Sequence, residues 1–98
     1  MDSTGRAWNP AEVTAYLERL LRSVAEKYGL KVAELSGGSR RREVVEARGV
    51  VSYLAVRVGK LRPTRLGRLL RVSRQSVLRG MELGEQVIIK KGWKVESF

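Results

Sequence analysis

Helix punctuation narrows the fold of this chain before anything else does. Start and stop signals fall at Asn9-Pro10, Gly29, Gly59, Pro63, Ser73 and Gly92. Between them the apolar residues recur with a period near 3.6 rather than 2. No alternating apolar run is long enough for a half-buried strand. Such a chain buries apolar stripes by packing helix on helix, so the expected class is all-α, a compact helical domain.

The expected elements follow from these signals. Asn9 is a good N-cap, Pro10 suits the first helical position, and Glu12 can complete a capping box. Trp8 and Val13 occupy the staple positions, and Val13, Leu17, Leu20, Val24 and Tyr28 form one stripe of a helix over 10–28. "LKVAEL" (30–35) reads as a single helical turn. Gly37 and Gly38 form a hinge, and Ser39 is the expected cap of a helix over 40–58 with core residues Val44, Ala47, Val51, Leu54, Ala55 and Val58. Gly49 inside that helix costs about 1 kcal/mol relative to alanine, which marks it for a close helix crossing. A short helix from Pro63 packs Leu66, Leu69 and Leu70 inward, and Ser73 caps a last helix over 74–90. The organisation expected is an N-terminal arm (1–9), a helical domain (10–91) and a tail (92–98) that packs back through Trp93 and Phe98 or frays.

Ninety-eight residues suffice for one core. The chain has no cysteine and no histidine. Disulfides, thiolate or imidazole metal sites and the common nucleophile–base pairs therefore fall away. No enzyme activity, metal, cofactor or small-molecule substrate is expected. No run of 18 apolar residues occurs and the polar start lacks a signal-like apolar core, so the expected setting is cytoplasmic, at the nucleoid, with no membrane partner.

Charge placement is more specific. The net charge is +10, and residues 36–80 carry all of it, with twelve Lys or Arg against Glu43 and Glu46. The segments on either side are each neutral. Concentrated positive charge creates a field that attracts phosphate.

That same segment contains a helix-turn-helix pattern over about 63–90. On a 100° wheel, Val77, Leu78, Met81 and Ile88 share the buried sector of the second helix, whereas Gln75, Arg79 and Gln86 lie opposite. Leu83 falls on the outward side. Arginine grips guanine and glutamine grips adenine through paired hydrogen bonds in the major groove. The base-contacting residues expected from this wheel are Gln75 and Arg79 with Ser76 at their edge, and Arg74, near the apolar sector by angle, can swing outward from the first turn. Thr64 and Ser73 stand at helix N-termini suited to phosphate, and Lys60, Arg62, Arg65, Arg68 and Arg71 surround them. "SRRR" offers Arg40, Arg41 and Arg42 to a narrow minor groove or to phosphates.

The stretches "VAEKYGLKVAELSGGSRRREVVEARGVVSYLA" and "LGRLLRVSRQSVLRGMELGEQV" resemble the C-terminal DNA-binding domain of the bacterial replication initiator DnaA, over roughly residues 20–88. The resemblance implies a helix-turn-helix reader of a short duplex site. On matching positions it implies major-groove contacts by Ser73, Arg74 and Gln75, a minor-groove contact by Arg40 and a phosphate contact by Arg48. The initiator's signature Gly-Gly-Arg-Asp-His-Thr-Thr-Val is replaced here by "RVSRQSV", which implies a different target sequence. No Walker motif is present. A similar domain ends the transposases associated with small repeated palindromes, so a transposase-related DNA-binding part is one alternative. The other is an adaptor that turns the same basic patch to RNA or an acidic protein. Against single-strand RNA, the basic segment holds only Tyr53 as a stacking aromatic.

Overall fold

The computed structural model describes residues 9–37 and 39–98. Its helices are α1 (Pro10–Tyr28), α2 (Arg42–Tyr53), α3 (Pro63–Leu70) and α4 (Arg74–Lys91), with 3₁₀ turns at Val32–Leu35 and Val95–Ser97. Among the described residues there is no strand, and the all-α expectation holds.

Helix α1 begins as its sequence dictates. The Glu12 N–H donates to Asn9 Oδ1 at 2.8 Å and the Asn9 N–H donates to Glu12 Oε1 at 3.1 Å, which closes the capping box. Gly29 ends the helix in the left-handed region at φ 66°. The expected staple partner Trp8, like the rest of residues 1–8, lies outside the described residues.

Helix α2 departs from expectation at both ends. It starts at Arg42, and Ser39 is not its cap. The Ser39 hydroxyl instead accepts the Arg41 N–H at 3.3 Å. At its far end the helix widens into a π turn over Leu54–Val58, where the Gly59 N–H reaches back five residues to the Leu54 carbonyl at 2.9 Å. A wider turn rotates later side chains back from the 100° wheel. Val58 therefore leaves the expected stripe and is 48% exposed, while Val50, which the stripe omitted, is fully buried. Gly59 passes so close under Tyr16 that a Cβ there would lie 2.6 Å from the ring.

The core joins Val13, Leu17, Leu20 and Val24 of α1 to Val44, Ala47, Val51, Leu54 and Ala55, then to Leu66, Leu70, Val77 and Ile88. Each buried Val, Leu or Ile side chain among these stabilises by roughly 1.5–3 kcal/mol. Leu69, expected inside, is 42% exposed because the short α3 turns only its Leu66–Leu70 edge inward. Leu61, in the connection before α3, is buried in the core.

Helices α2 and α4 cross backbone against backbone. A Cβ on Gly49 would lie 2.8 Å from the Gly80 carbonyl oxygen, and one on Gly84 would overlap the Gly49 carbonyl. The close crossing expected at Gly49 is present, built by three glycines. After Gly92 the chain folds back: the Trp93 ring meets Tyr28 and Phe98 edge-on, each at 5.8 Å between centroids. Lys27 and Lys91 sit over the Trp93 ring at 5.4 and 5.3 Å. Among the described residues no helix is long and apolar enough to cross a membrane.

Candidate nucleic-acid interface

Helices α3 and α4 are joined by three residues, Arg71 to Ser73. The Val72 N–H donates to the Gly67 carbonyl at 2.9 Å and the Arg71 N–H to the Arg68 carbonyl at 3.2 Å, tightening the end of α3. Gly67 permits this, since a Cβ there would lie 2.8 Å from the Val72 carbonyl oxygen. Arg71 itself takes the left-handed conformation at φ 62°, an arrangement that glycine adopts at lower cost. Ser73 then caps α4 by accepting the Ser76 N–H at 3.0 Å, as expected, and its hydroxyl also bonds the Ser76 hydroxyl at 3.2 Å. The start of α3 differs. Its cap position is Arg62 with no side-chain acceptor, and Thr64 is an exposed residue of the first turn rather than a cap.

Helix α4 is two-faced. Val77, Gly84, Val87 and Ile88 are buried, with Leu78 and Met81 half-buried beside them. Leu83, placed outward on the wheel, is half-buried because it packs against α2 beside Gly49. Ser73, Arg74, Gln75, Ser76 and Arg79 are all exposed, so the first turn of α4 is open to solvent. On the turn and α3, Lys60, Arg62, Thr64, Arg65, Arg68 and Arg71 are exposed as well.

The basic loop is less uniform than its sequence. Arg41 bridges two carboxylates, Glu34 at 2.8 Å and Glu43 at 3.0 Å. Glu43 first, then Glu34, raises the pKa of that guanidinium. The Lys31 N–H and the Arg41 guanidinium in turn hold the Glu34 carboxyl below its usual range. These are the ion pairs among the described residues, so Arg40 and Arg42 are exposed and unpaired there, as are the arginines of α3 and α4. Arg48 is half-buried and points back at the loop, donating to the Gly37 carbonyl at 3.1 Å and the Ser39 carbonyl at 3.0 Å. Burial lowers the pKa of this guanidinium, the one cation of the set drawn inside. The Gly37 half of the expected hinge is therefore tied at its carbonyl, and its N–H also donates to Leu70 at 2.8 Å. Gly38 lies outside the described residues.

Sequence reasoning missed Gly67, Gly80 and Gly84, because a wheel assigns a glycine to no face. The spacing of Gly80 and Gly84 at i, i+4 opposite Gly49 was the available signal. It also missed the Arg41 ion pairs, for which Glu43 two residues on was the only local hint. Among the described residues no cluster of three metal-ligating side chains occurs.

Two helices on a three-residue turn, with the first turn of the second laid open and flanked by unpaired cations, define a helix-turn-helix protein. The family described as the bacterial dnaA protein helix-turn-helix matches residues 17–82, about two thirds of the chain, and the chain belongs to that family. The match spans α1 from Leu17 to the middle of α4, ending at Glu82. No solved structure matches the chain.

Proposed function

We propose that the chain is a sequence-specific double-stranded DNA-binding module that performs no chemistry of its own. The first turn of α4 enters the major groove. Arg74, Gln75 and Arg79 meet base edges there, with Ser73 and Ser76 at the rim. Arg40 reaches the neighbouring minor groove, and Arg42 joins Lys60, Arg62, Arg65, Arg68 and Arg71 on the phosphates. Arg41, engaged by two carboxylates, stays with the loop as a support.

One observation supports this reading above the rest. The exposed first turn of α4 and the exposed cations of α3 flank one three-residue turn, and none of those cations is spent on an ion pair among the described residues. Exposed arginines left without carboxylate partners raise the local potential that a polyanion meets.

Selection from a random duplex pool tests it. The expected result is a preferred motif of about 5–9 base pairs, bound more tightly than random duplex by at least ~10³-fold. Equal recovery of all sequences would reduce the protein to a phosphate binder.

A further inference from the structure

The basic loop is tied to the helix-turn-helix directly at Leu70 and indirectly through α2. Arg48 grips the loop from α2 through two carbonyls, Gly37 at 3.1 Å and Ser39 at 3.0 Å. The Gly37 N–H binds the Leu70 carbonyl at 2.8 Å, at the last residue of α3 before the turn into α4. Gly49, the next residue after Arg48, lies at the backbone crossing with Gly80 and Gly84 of α4. The side chain that holds the loop is thus rooted where α2 and α4 are locked together. Its guanidinium is half-buried and turned inward to carbonyls, a poor posture for a phosphate ligand but a good one for a clamp. A planar fork with fixed donor directions can hold two carbonyls at once, which an ammonium on a flexible stem does not reproduce.

We propose that Arg48 is a positioning residue that sets the distance between the loop arginine Arg40 and the first turn of α4. The protein then reads its two grooves at one fixed spacing. This rests on the DNA-binding reading above. By holding the loop before DNA arrives, the clamp removes part of the ordering cost of binding and makes spacing itself a specificity determinant.

Arg48→Lys in the full chain tests this, because it keeps the charge and removes the fork. The duplexes are the selected site and the same site with one base pair inserted between its two contacted halves. The wild type should lose at least about tenfold in affinity on the insertion. Arg48→Lys should lose no more than about twofold, and amide exchange at Ser39, Arg40 and Arg41 should quicken by about tenfold or more. If Arg48→Lys keeps the wild-type insertion penalty, the proposal is overturned, whatever the exchange shows. A uniform loss on every duplex with unchanged loop exchange makes Arg48 a phosphate contact instead. A thermal melt checks folding, and Arg48→Gln takes the same measurements should the lysine variant unfold. A wild type that ignores duplexes overturns the functional reading and this proposal together, whereas a binding wild type with an unchanged variant overturns the proposal alone.

Discussion

Gly84 stacks its backbone directly on the carbonyl of Gly49, so that α2 and α4 touch with no side chain between them. This contact fixes where α4 sits, and therefore where its exposed edge points. An added methyl at Gly84 has only backbone to push against, which forces the helices apart. We expect Gly84→Ala to destabilise by at least about 2 kcal/mol, the overpacking cost exceeding the roughly 1 kcal/mol of helix propensity gained. Gly80→Ala should be milder, since its Cβ would meet Ser52 Oγ at 3.2 Å and Gly49 Cα at 3.3 Å. Thermal melts of the two variants check the order. A Gly84→Ala protein as stable as wild type would show that the helices can part without cost.

Arg71 pairs a strained backbone with a placement suited to phosphate. A non-glycine residue in the left-handed region costs about 1–2 kcal/mol, part of which glycine returns through the entropy of the unfolded chain. Arg71→Gly should therefore stabilise by a few tenths to about 1 kcal/mol in urea unfolding. The same variant should bind duplex more weakly at low salt, with the salt slope reduced by about 0.9. Greater stability with undiminished binding would remove Arg71 from the interface.

Tyr28 gives the fold an alkaline limit. Its hydroxyl donates to Glu46 Oε2 at 2.6 Å, and burial first, then that carboxylate, pushes the phenol well above its ordinary value. A phenol whose folded pKa is raised contributes stability that is complete below about pH 10 and lost as pH rises beyond it. Tyr28→Phe should cost about 1 kcal/mol at neutral pH and flatten the fall in stability above pH ~10. Some fall should remain, because burial raises Tyr16 as well. An unchanged alkaline limb in Tyr28→Phe would show that other groups control it.

Much of this architecture is legible in the residues themselves. The boundaries of α1, its capping box and the Ser73 cap depend on neighbours within four positions, and the sequence states those directly. What escaped it was set at a distance. Val58 left its stripe because a π turn changed the phase of the wheel, and Leu69 turned outward because α3 buries only its Leu66–Leu70 edge. The glycine crossing needed two helices brought together before its partners at 80 and 84 meant anything. The resemblance implied a phosphate contact for Arg48, and its hydrogen bonds to the loop became visible only with the Gly37 and Ser39 carbonyls in place to receive them. Gln75, Arg79 and Gln86 of α4, by contrast, emerged where the wheel put them, since an amphipathic helix leaves the edge opposite its packed face to solvent.

Base readers and phosphate holders should separate in mutants. Gln75→Ala and Arg79→Ala are expected to relax preference at individual base pairs by about 1–3 kcal/mol each. Arg68→Ala should weaken every duplex alike and lower the salt slope by about 0.9. Competition binding with single-base variants of the selected site distinguishes the two patterns. Identical behaviour in all three variants would void the division of labour.

Titrating a labelled duplex with the folded wild-type chain, at salt concentrations from about 50 to 200 mM, bears on the account most directly. We predict saturable binding whose logarithm falls linearly with log salt, at a slope of about −4.5 to −6.3 for about five to seven phosphates contacted by the α3 and loop cations. Single strands of the same length should bind more weakly. A folded sample that leaves the duplex free at the lowest salt, or binds single strands equally well, would contradict it.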